Sequence, residues 1–286
     1  MESSVVRDAE LFVAAEVDAG PRRERSEARV RLASAVRPQW LVEMFPGCVA
    51  RQSELVFDEE RQRVIERTRE TFEDLVLRES VRIDVDRDRA GSVLAEAAQR
   101  DPLRAAQLGK AEHAWLARVR FLQRWMPELD LPADTNALVA AAVVSLCAGC
   151  RSFAELRAAD LLSVLRGQLT HRQNATLERE APTHYRLPSD RTAPVVYADD
   201  KPPAVAARIQ ELFGLRATPR LAVGRVPLVI ALLAPNNRPV QITDDLESFW
   251  RTTYAEVRKQ LRGRYPKHAW PENPFAEPPT STARRL

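Results

Sequence analysis

The segment from Asp245 to Pro274 constrains the fold of this chain more than any other stretch of its sequence. On a helix at about 100° per residue, its apolar side chains fall on one side. These side chains are Leu246, Phe249, Trp250, Thr253, Tyr254, Val257 and Leu261. We therefore expect a long amphipathic helix that buries this face, capped at its start by Thr243 or Asp244. Gly263 is expected to end the helix, because glycine tolerates the positive φ common at helix C-termini.

Arginines lie on a different side of the same predicted helix. Arg251, Arg258 and Arg262 are seven and four residues apart, so we expect them in a narrow ridge that points outward. Glu247 lies four residues before Arg251 and can pair with it. Arg258 and Arg262 have no acid at that offset, which leaves them available to an external anion.

The cationic pattern continues past the predicted helix end. The candidate nucleic-acid-binding cations are Arg251, Arg258, Lys259, Arg262, Arg264 and Lys267. Cations near a helix C-terminus also stabilise the helix macrodipole, so a solvated helix end is the alternative to a phosphate site. Tyr265 and Trp270 lie beside these cations and either stack on bases or pin the chain.

The same part of the chain resembles a known family. The run RGRYPKHAWPENP (Arg262 to Pro274) lies within a longer match, Gly224 to Pro274, which is similar to the C-terminal domain of HrpB-type bacterial ATP-dependent helicases of the DEAH/RHA class. Further segments that look like this family are Ala181 to Asp190, Pro202 to Leu215, Arg7 to Gly20 and the stretch from Val30. The resemblance covers nearly the whole chain, but only the region that follows the motor in those helicases.

The resemblance implies an RNA-directed, ATP-driven enzyme of the cytoplasm whose accessory C-terminal domains close over a nucleic-acid channel. A P-loop ends in Gly-Lys-Ser/Thr, whereas Gly109-Lys110 is followed by alanine, and Asp58-Glu59 does not continue into a DEAH motif. We therefore expect no ATPase activity from this chain alone, with ATP and Mg²⁺ bound only through a motor. A truncated or split reading frame is one expected origin of such a chain.

Charge in this chain is local. Its 43 cations and 40 anions leave a net charge of +3, whereas the stretch from Arg251 to the end carries eight cations and three acids. A uniformly basic coat is excluded, but a basic end is not. The longest apolar run, from Ala137 to Ala148, is too short to cross a membrane, and the N-terminus has no signal-peptide pattern. We expect a soluble, cytoplasmic protein.

The patterns predict an α+β protein with four parts. Residues 1–90 are expected to be β-rich and barrel-like, because alternation such as that at Val81, Ile83 and Val85 favours an antiparallel sheet or barrel. Residues 91–180 are expected to be helical, with Ser92 as the first cap and a helix running from Ser152 through Leu165. Residues 181–274 are expected to form a mixed domain that includes a helix at 204–213, and residues 275–286 a disordered tail.

Other motifs point to structure rather than chemistry. Cys147 and Cys150 end an apolar helical run instead of following a strand, so buried small residues explain them better than a redox or zinc site. The acids from Asp84 to Asp88 lack the glycine and the twelfth-position acid of a calcium loop. The sequence thus predicts no catalytic residue and no metal site.

Two functions remain open at this point. The first is an accessory portion of an HrpB-like helicase that contacts nucleic-acid phosphates, with RNA as the expected partner. The second is a structural or docking module for a separate helicase motor in trans, or a non-functional fragment of a split helicase gene. Binding of single-stranded RNA discriminates between them.

Overall fold

A computed structural model of the chain describes residue 6 and residues 9–18 and 29–281. Parts of two predicted segments, the N-terminal stretch 7–20 and the tail 275–286, lie outside these residues. Contacts divide the chain into two units, and the predicted division into four parts stays a prediction. One unit comprises residues 1–97 and 147–155, and the other comprises residues 98–146 and 156–286.

The first unit is β-rich, as the sequence predicts. Its elements are β1 (Phe12–Asp18), β2 (Arg29–Ala35), α1 (Pro38–Met44), β3 (Val49–Asp58), β4 (Arg63–Phe72) and β5 (Leu75–Arg82). Strands β1 and β2 pair antiparallel, and β3, β4 and β5 form a separate antiparallel sheet in chain order. The described strands therefore give two sheets and not one closed barrel.

Oppositely charged side chains face each other across neighbouring strands on the exposed face of the three-stranded sheet. Arg69 on β4 lies opposite Glu79 on β5, and its Nε donates to the carboxylate at 2.8 Å. Opposite charges on facing positions stabilise a sheet modestly. Near the start of β4, Val64 and Ile65 are buried, and the Val64 N–H donates to the carbonyl of Arg151.

A run of helices follows, in agreement with the predicted helical middle. They are α2 (Arg87–Arg100), α3 (Pro102–Ala106), α4 (Lys110–Trp125), α5 (Thr135–Cys147), α6 (Phe153–Ala158), α7 (Leu161–Gly167) and α8 (His171–Glu180). Two details differ from the predictions. The side chain of Asp86, not Ser92, accepts the Arg89 N–H at the start of α2. The helix that begins after Ser152 stops at Ala158, because Asp160 caps a new helix there.

The second unit contains a five-stranded mixed sheet in the order β12–β11–β8–β7–β6. The strands after α8 are β6 (His184–Arg186), β7 (Thr192–Ala198), β8 (Lys201–Arg208), β9 (Arg220–Leu221), β10 (Val226–Pro227), β11 (Val229–Leu233) and β12 (Pro239–Thr243). Strands β8 and β11 are parallel, and the other neighbours in this sheet are antiparallel. Helix α4 packs on β7, where the rings of Phe121 and Tyr197 lie 5.2 Å apart.

The helix predicted at 204–213 is wrong. This stretch begins within β8 and continues as a 3-10 turn at Ile209–Leu212. Val205 and Ala207 are buried while Ala206 is exposed, which is the two-residue period of a strand. Hydrogen bonding to β7 on one side and β11 on the other overrides the local helix signals, namely the prolines before the stretch and Gly214 after it.

The chain closes with α9 (Leu246–Ser248) and α10 (Tyr254–Arg264), joined by a π-helical turn at Phe249–Thr253. The structure thus confirms the predicted class: a β-rich start, a helical middle and a mixed α/β part that ends in a long helical segment.

Candidate nucleic-acid interface

The last helical segment starts one residue later than predicted. Asp245, rather than Thr243 or Asp244, caps α9 by accepting the Ser248 N–H at 2.9 Å. After α9, the Tyr254 N–H donates to the carbonyl of Phe249, five residues earlier, which is the i to i+5 bond of a π-helix. The regular helical period is therefore broken between these two residues.

Because of the π-helical turn, Arg251 does not lie in the predicted ridge with Arg258 and Arg262. A spacing of seven residues aligns two side chains only if the helix keeps about 3.6 residues per turn throughout. Arg251 lies inside the turn, so it does not continue the line of Arg258 and Arg262. The predicted pair between Glu247 and Arg251 does not form among the described residues.

The apolar face is buried as the sequence predicts. Leu246, Phe249, Trp250, Tyr254, Val257 and Leu261 are all buried, and only Thr253 is partly exposed. The rings of Trp250 and Tyr254 lie 5.1 Å apart, and each also contacts Phe213. The Trp250 indole N–H donates to the carbonyl of Leu215 at 2.9 Å, which satisfies its polar atom in the core.

Gly263 does not end the helix. Helix α10 continues to Arg264, and Tyr265 is its C-cap, with an N–H that donates to the carbonyl of Leu261 at 2.8 Å. Gly263 is absent from the positive-φ residues of the described chain, which include Gly214 and Gly224. The missing side chain of Gly263 instead leaves open space beside the helix.

Residues 265–274, here called the C-terminal strap, fold back along α10. The Tyr254 hydroxyl donates to the carbonyl of Pro271 at 2.9 Å, and the Trp270 indole N–H donates to the carbonyl of Tyr265 at the same distance. The carbonyl of Pro274 accepts the N–H of Gly214. The unusual composition of RGRYPKHAWPENP therefore includes residues that fasten the strap.

The two aromatic candidates are placed differently by the strap. Trp270 is 9% exposed and its indole nitrogen is already hydrogen-bonded. These contacts favour a role in holding the chain in place over a role in stacking on bases. Tyr265 is half-buried, and its ring meets that of His268 edge to face at 6.3 Å. Burial among protein atoms and the positive charge of Arg208 lower the pKa of His268.

The start of the predicted disordered tail makes defined contacts. The ring of Phe275 packs on Trp250 and lies under the Arg216 guanidinium at 5.0 Å. The Thr280 N–H donates to the carbonyl of Gln210 at 3.1 Å. Residues 275–281 are thus held against the second unit, because an aromatic side chain and backbone bonds anchor them.

Three of the candidate cations share one concave surface. This surface, here called the basic groove, is lined by Ala255, Arg258, Lys259, Arg262, Gly263 and Pro266. Lys259 and Arg262 are exposed, and neither has a carboxylate within ion-pair distance among the described residues. Arg251, Arg264 and Lys267 are also exposed, but they do not line the groove.

Arg258 has a partner that helical spacing does not reveal. Its Nη2 lies 2.8 Å from Oε1 of Glu272, which belongs to the C-terminal strap, fourteen residues further along the chain. The Arg258 side chain is 20% exposed, whereas that of Glu272 is 87% exposed. The hydrogen bond from Arg258, together with the charges of Arg258 and Arg262, holds the pKa of Glu272 below its usual value.

Other groups offer little chemistry. Burial raises the pKa of the Cys147 thiol to about 12, which keeps it protonated and unreactive at neutral pH. No cluster of three metal-ligating side chains occurs in the described part of the chain. Asp84 pairs with Arg151, and Asp86 caps α2. The helices that the structure describes include none long and apolar enough to cross a membrane.

Comparisons with known proteins agree with the resemblance seen in the sequence. The family model described as ATP-dependent helicase C-terminal (HrpB_C) matches residues 143–274. The ATP-dependent RNA helicase HrpB of Escherichia coli K12 is 40% identical over 203 residues, which are 70% of this chain and 24% of that protein.

Solved structures extend the match to nearly the whole chain. The crystal structure of the E. coli DExH-box NTPase HrpB gives a TM-score of 0.67 at 31% identity, over 95% of this chain and 34% of that one. A second structure, of the E. coli DEAH/RHA helicase HrpB, gives 0.59 at 29% identity, over 91% of this chain and 32% of that one. The chain spans about a quarter to a third of the length of these relatives. In sequence and in fold the chain is therefore similar to the C-terminal region of the HrpB-type ATP-dependent helicases.

Proposed function

We propose that this chain serves as the C-terminal accessory portion of an HrpB-like ATP-dependent helicase and that its basic groove contacts the phosphates of single-stranded RNA. ATP and Mg²⁺ belong to the motor of such a helicase, which hydrolyses ATP. The single observation that carries the proposal is the groove itself, where Arg258, Lys259 and Arg262 line one concavity.

The groove has the charge that a phosphate backbone requires. Three cations line it, and among the described residues the carboxylate of Glu272 forms an ion pair with Arg258 alone. Lys259 and Arg262 keep their charges free for a polyanion, whose bound counterions are released on contact. Stabilisation of the helix macrodipole requires cations in the last turn of the helix. It does not require those cations to line a groove.

The groove lies on an anchored helix. The buried aromatic cluster and the C-terminal strap both hold helix α10, because Tyr254 packs against Trp250 and its hydroxyl donates to the carbonyl of Pro271. Cations on an anchored helix lose less conformational freedom on binding than cations on a free loop. The proposal therefore places the phosphate contacts on a fixed element of the second unit.

A specific observation favours docking as a second candidate function. Thirteen of the nineteen exposed large apolar side chains in the described residues lie between Phe12 and Ile83. Concentrated apolar exposure is typical of surfaces that another protein covers. In this alternative the first unit docks on a helicase motor, and the second unit does not contact RNA.

Lysine footprinting tests the proposal. The chain has only four lysines, Lys110, Lys201, Lys259 and Lys267, and all four are exposed. Acetylation with and without a single-stranded RNA, followed by mass spectrometry, measures the protection of each lysine. We expect protection of Lys259 and Lys267 at low salt that disappears as salt is raised, with Lys110 and Lys201 as internal controls.

Two outcomes count against RNA contact at this surface. One is protection at Lys110 or Lys201 without protection at Lys259. The other is equal acetylation of all four lysines with and without RNA at low salt. The second result leaves docking as the better account of the chain.

A further inference from the structure

Glu272 is the acid that contacts the basic groove. Its Oε1 accepts a hydrogen bond from Nη2 of Arg258 at 2.8 Å, and it also lies close enough to Arg262 for that charge to lower its pKa. Glu256 on α10 accepts a hydrogen bond from Gln260 instead. Glu272 thus carries a negative charge that a phosphate bound at Arg258 would meet.

The carboxylate can leave without disturbing the fold. The strap is held by the carbonyls of Pro271 and Pro274 and by the indole of Trp270, none of which involves the Glu272 side chain. That side chain is 87% exposed, so water solvates it fully once it is released. Arg258 is 20% exposed and lines the groove.

We propose that Glu272 is an internal competitor, which occupies Arg258 until a phosphodiester backbone displaces it. This inference rests on the proposed function, since it concerns the same groove. A carboxylate and a phosphate both bind a guanidinium through charge-assisted hydrogen bonds, so they exclude each other at the same N–H groups. The competition makes Glu272 a determinant of ligand strength.

The competitor selects for a chain of phosphates. A strand that also engages Lys259 and Arg262 gains attraction at several points and can displace one carboxylate. A single inorganic phosphate ion has to do so alone, against an acid that is tethered beside Arg258. The groove is therefore expected to discriminate a nucleic-acid strand from free phosphate.

The expected size of the effect follows from the exposure of the pair. The Glu272 carboxylate is 87% exposed, and ion pairs that water reaches on one side are weak, which corresponds to about twofold to fivefold in an equilibrium constant. Removing the competitor also frees one phosphate contact, which steepens the salt dependence of single-strand binding by about 0.7 in log–log slope.

The test compares Glu272→Gln with Glu256→Gln in the full chain. Both variants remove one exposed negative charge from the same region, but only Glu272 contacts Arg258. Binding of a fluorescent oligouridine RNA is measured by anisotropy across a salt series. We expect Glu272→Gln to bind about twofold to fivefold more tightly than Glu256→Gln, with the steeper slope.

The same two glutamate substitutions are then made in an Arg258→Gln variant, which completes a double-mutant cycle. Without Arg258 there is nothing for Glu272 to occupy, so adding Glu272→Gln should give no more than the gain of Glu256→Gln. Equal gains for the two glutamate variants in the parent chain, with the parent binding RNA, overturn the competitor while the proposed function stands. If Glu272→Gln is the one protein that binds RNA, the result supports the competitor. If neither the parent nor any variant binds RNA, both proposals are overturned.

Discussion

Individual cations at the end of the last helix differ in how the fold constrains them. Arg258 is mostly covered and paired, whereas Lys259 and Arg262 are exposed and unpaired among the described residues. The sequence indicates the cations themselves, because their clustering is a property of neighbouring positions. It does not indicate the Arg258–Glu272 pair, since the strap that brings the two together turns back over fourteen residues.

His268 gives the strap a pH dependence with a definite sign. Burial and the charge of Arg208 lower its pKa below the ordinary 6.5, so the folded chain favours the neutral imidazole. The resulting stability is complete above the unfolded pKa of about 6.5 and is lost as the pH falls towards the lower folded pKa. Thermal unfolding between about pH 7.5 and pH 5.5 should therefore show a smaller loss of Tm in His268→Gln than in the parent chain. Identical losses would mean that His268 titrates normally.

Among the elements, the π-helical turn and strand β8 could not be predicted from the local sequence pattern. Helix α4 follows directly from the spacing of Trp115, Leu116 and Val119, all of which are buried. Strand β8 carries the end signals of a helix, but it pairs with β7 on one side and, on the other, with β11, which is more than twenty residues away in sequence. Long-range hydrogen bonding of this kind leaves no periodic trace in a single stretch of sequence.

Alanine substitutions at Gly263 and Gly214 test where the last helix ends. Gly263 lies inside α10 with open space where an added Cβ would lie, so Gly263→Ala should raise the free energy of unfolding by about 0.5–1 kcal/mol through helix propensity. Gly214 has φ +85°, so Gly214→Ala should destabilise the chain despite equally open surroundings. Urea unfolding of both variants provides the measurement. Destabilisation by Gly263→Ala would show that the helix ends there after all.

At the scale of the whole molecule, the fold class was accessible from sequence, but the contacts that define the two units were not. Residues 147–155 join the first unit although the helices on either side continue into the second. The bridge between Arg63 and Ser152 and the bond from Phe153 to Gln62 make that connection. Such contacts join positions about ninety residues apart, which composition and periodicity do not reveal.

The charge distribution is also a whole-molecule property. A net charge of +3 over 286 residues predicts weak non-specific attraction to RNA, so any strong salt dependence has to come from a local surface. Neutralising two groove cations should therefore change the salt dependence far more than neutralising two exposed cations elsewhere. Arg172 and Arg238 are exposed and lie outside α10, which makes them a charge-matched control.

The most direct measurement is the salt dependence of single-stranded RNA binding in the parent chain, in Lys259→Gln/Arg262→Gln and in Arg172→Gln/Arg238→Gln. Loss of two phosphate contacts should flatten the log–log slope by about 1.4 in the groove variant, while the control keeps the parent slope. Equal slopes in all three proteins, or no binding by the parent chain at low salt, would contradict an RNA-contacting groove.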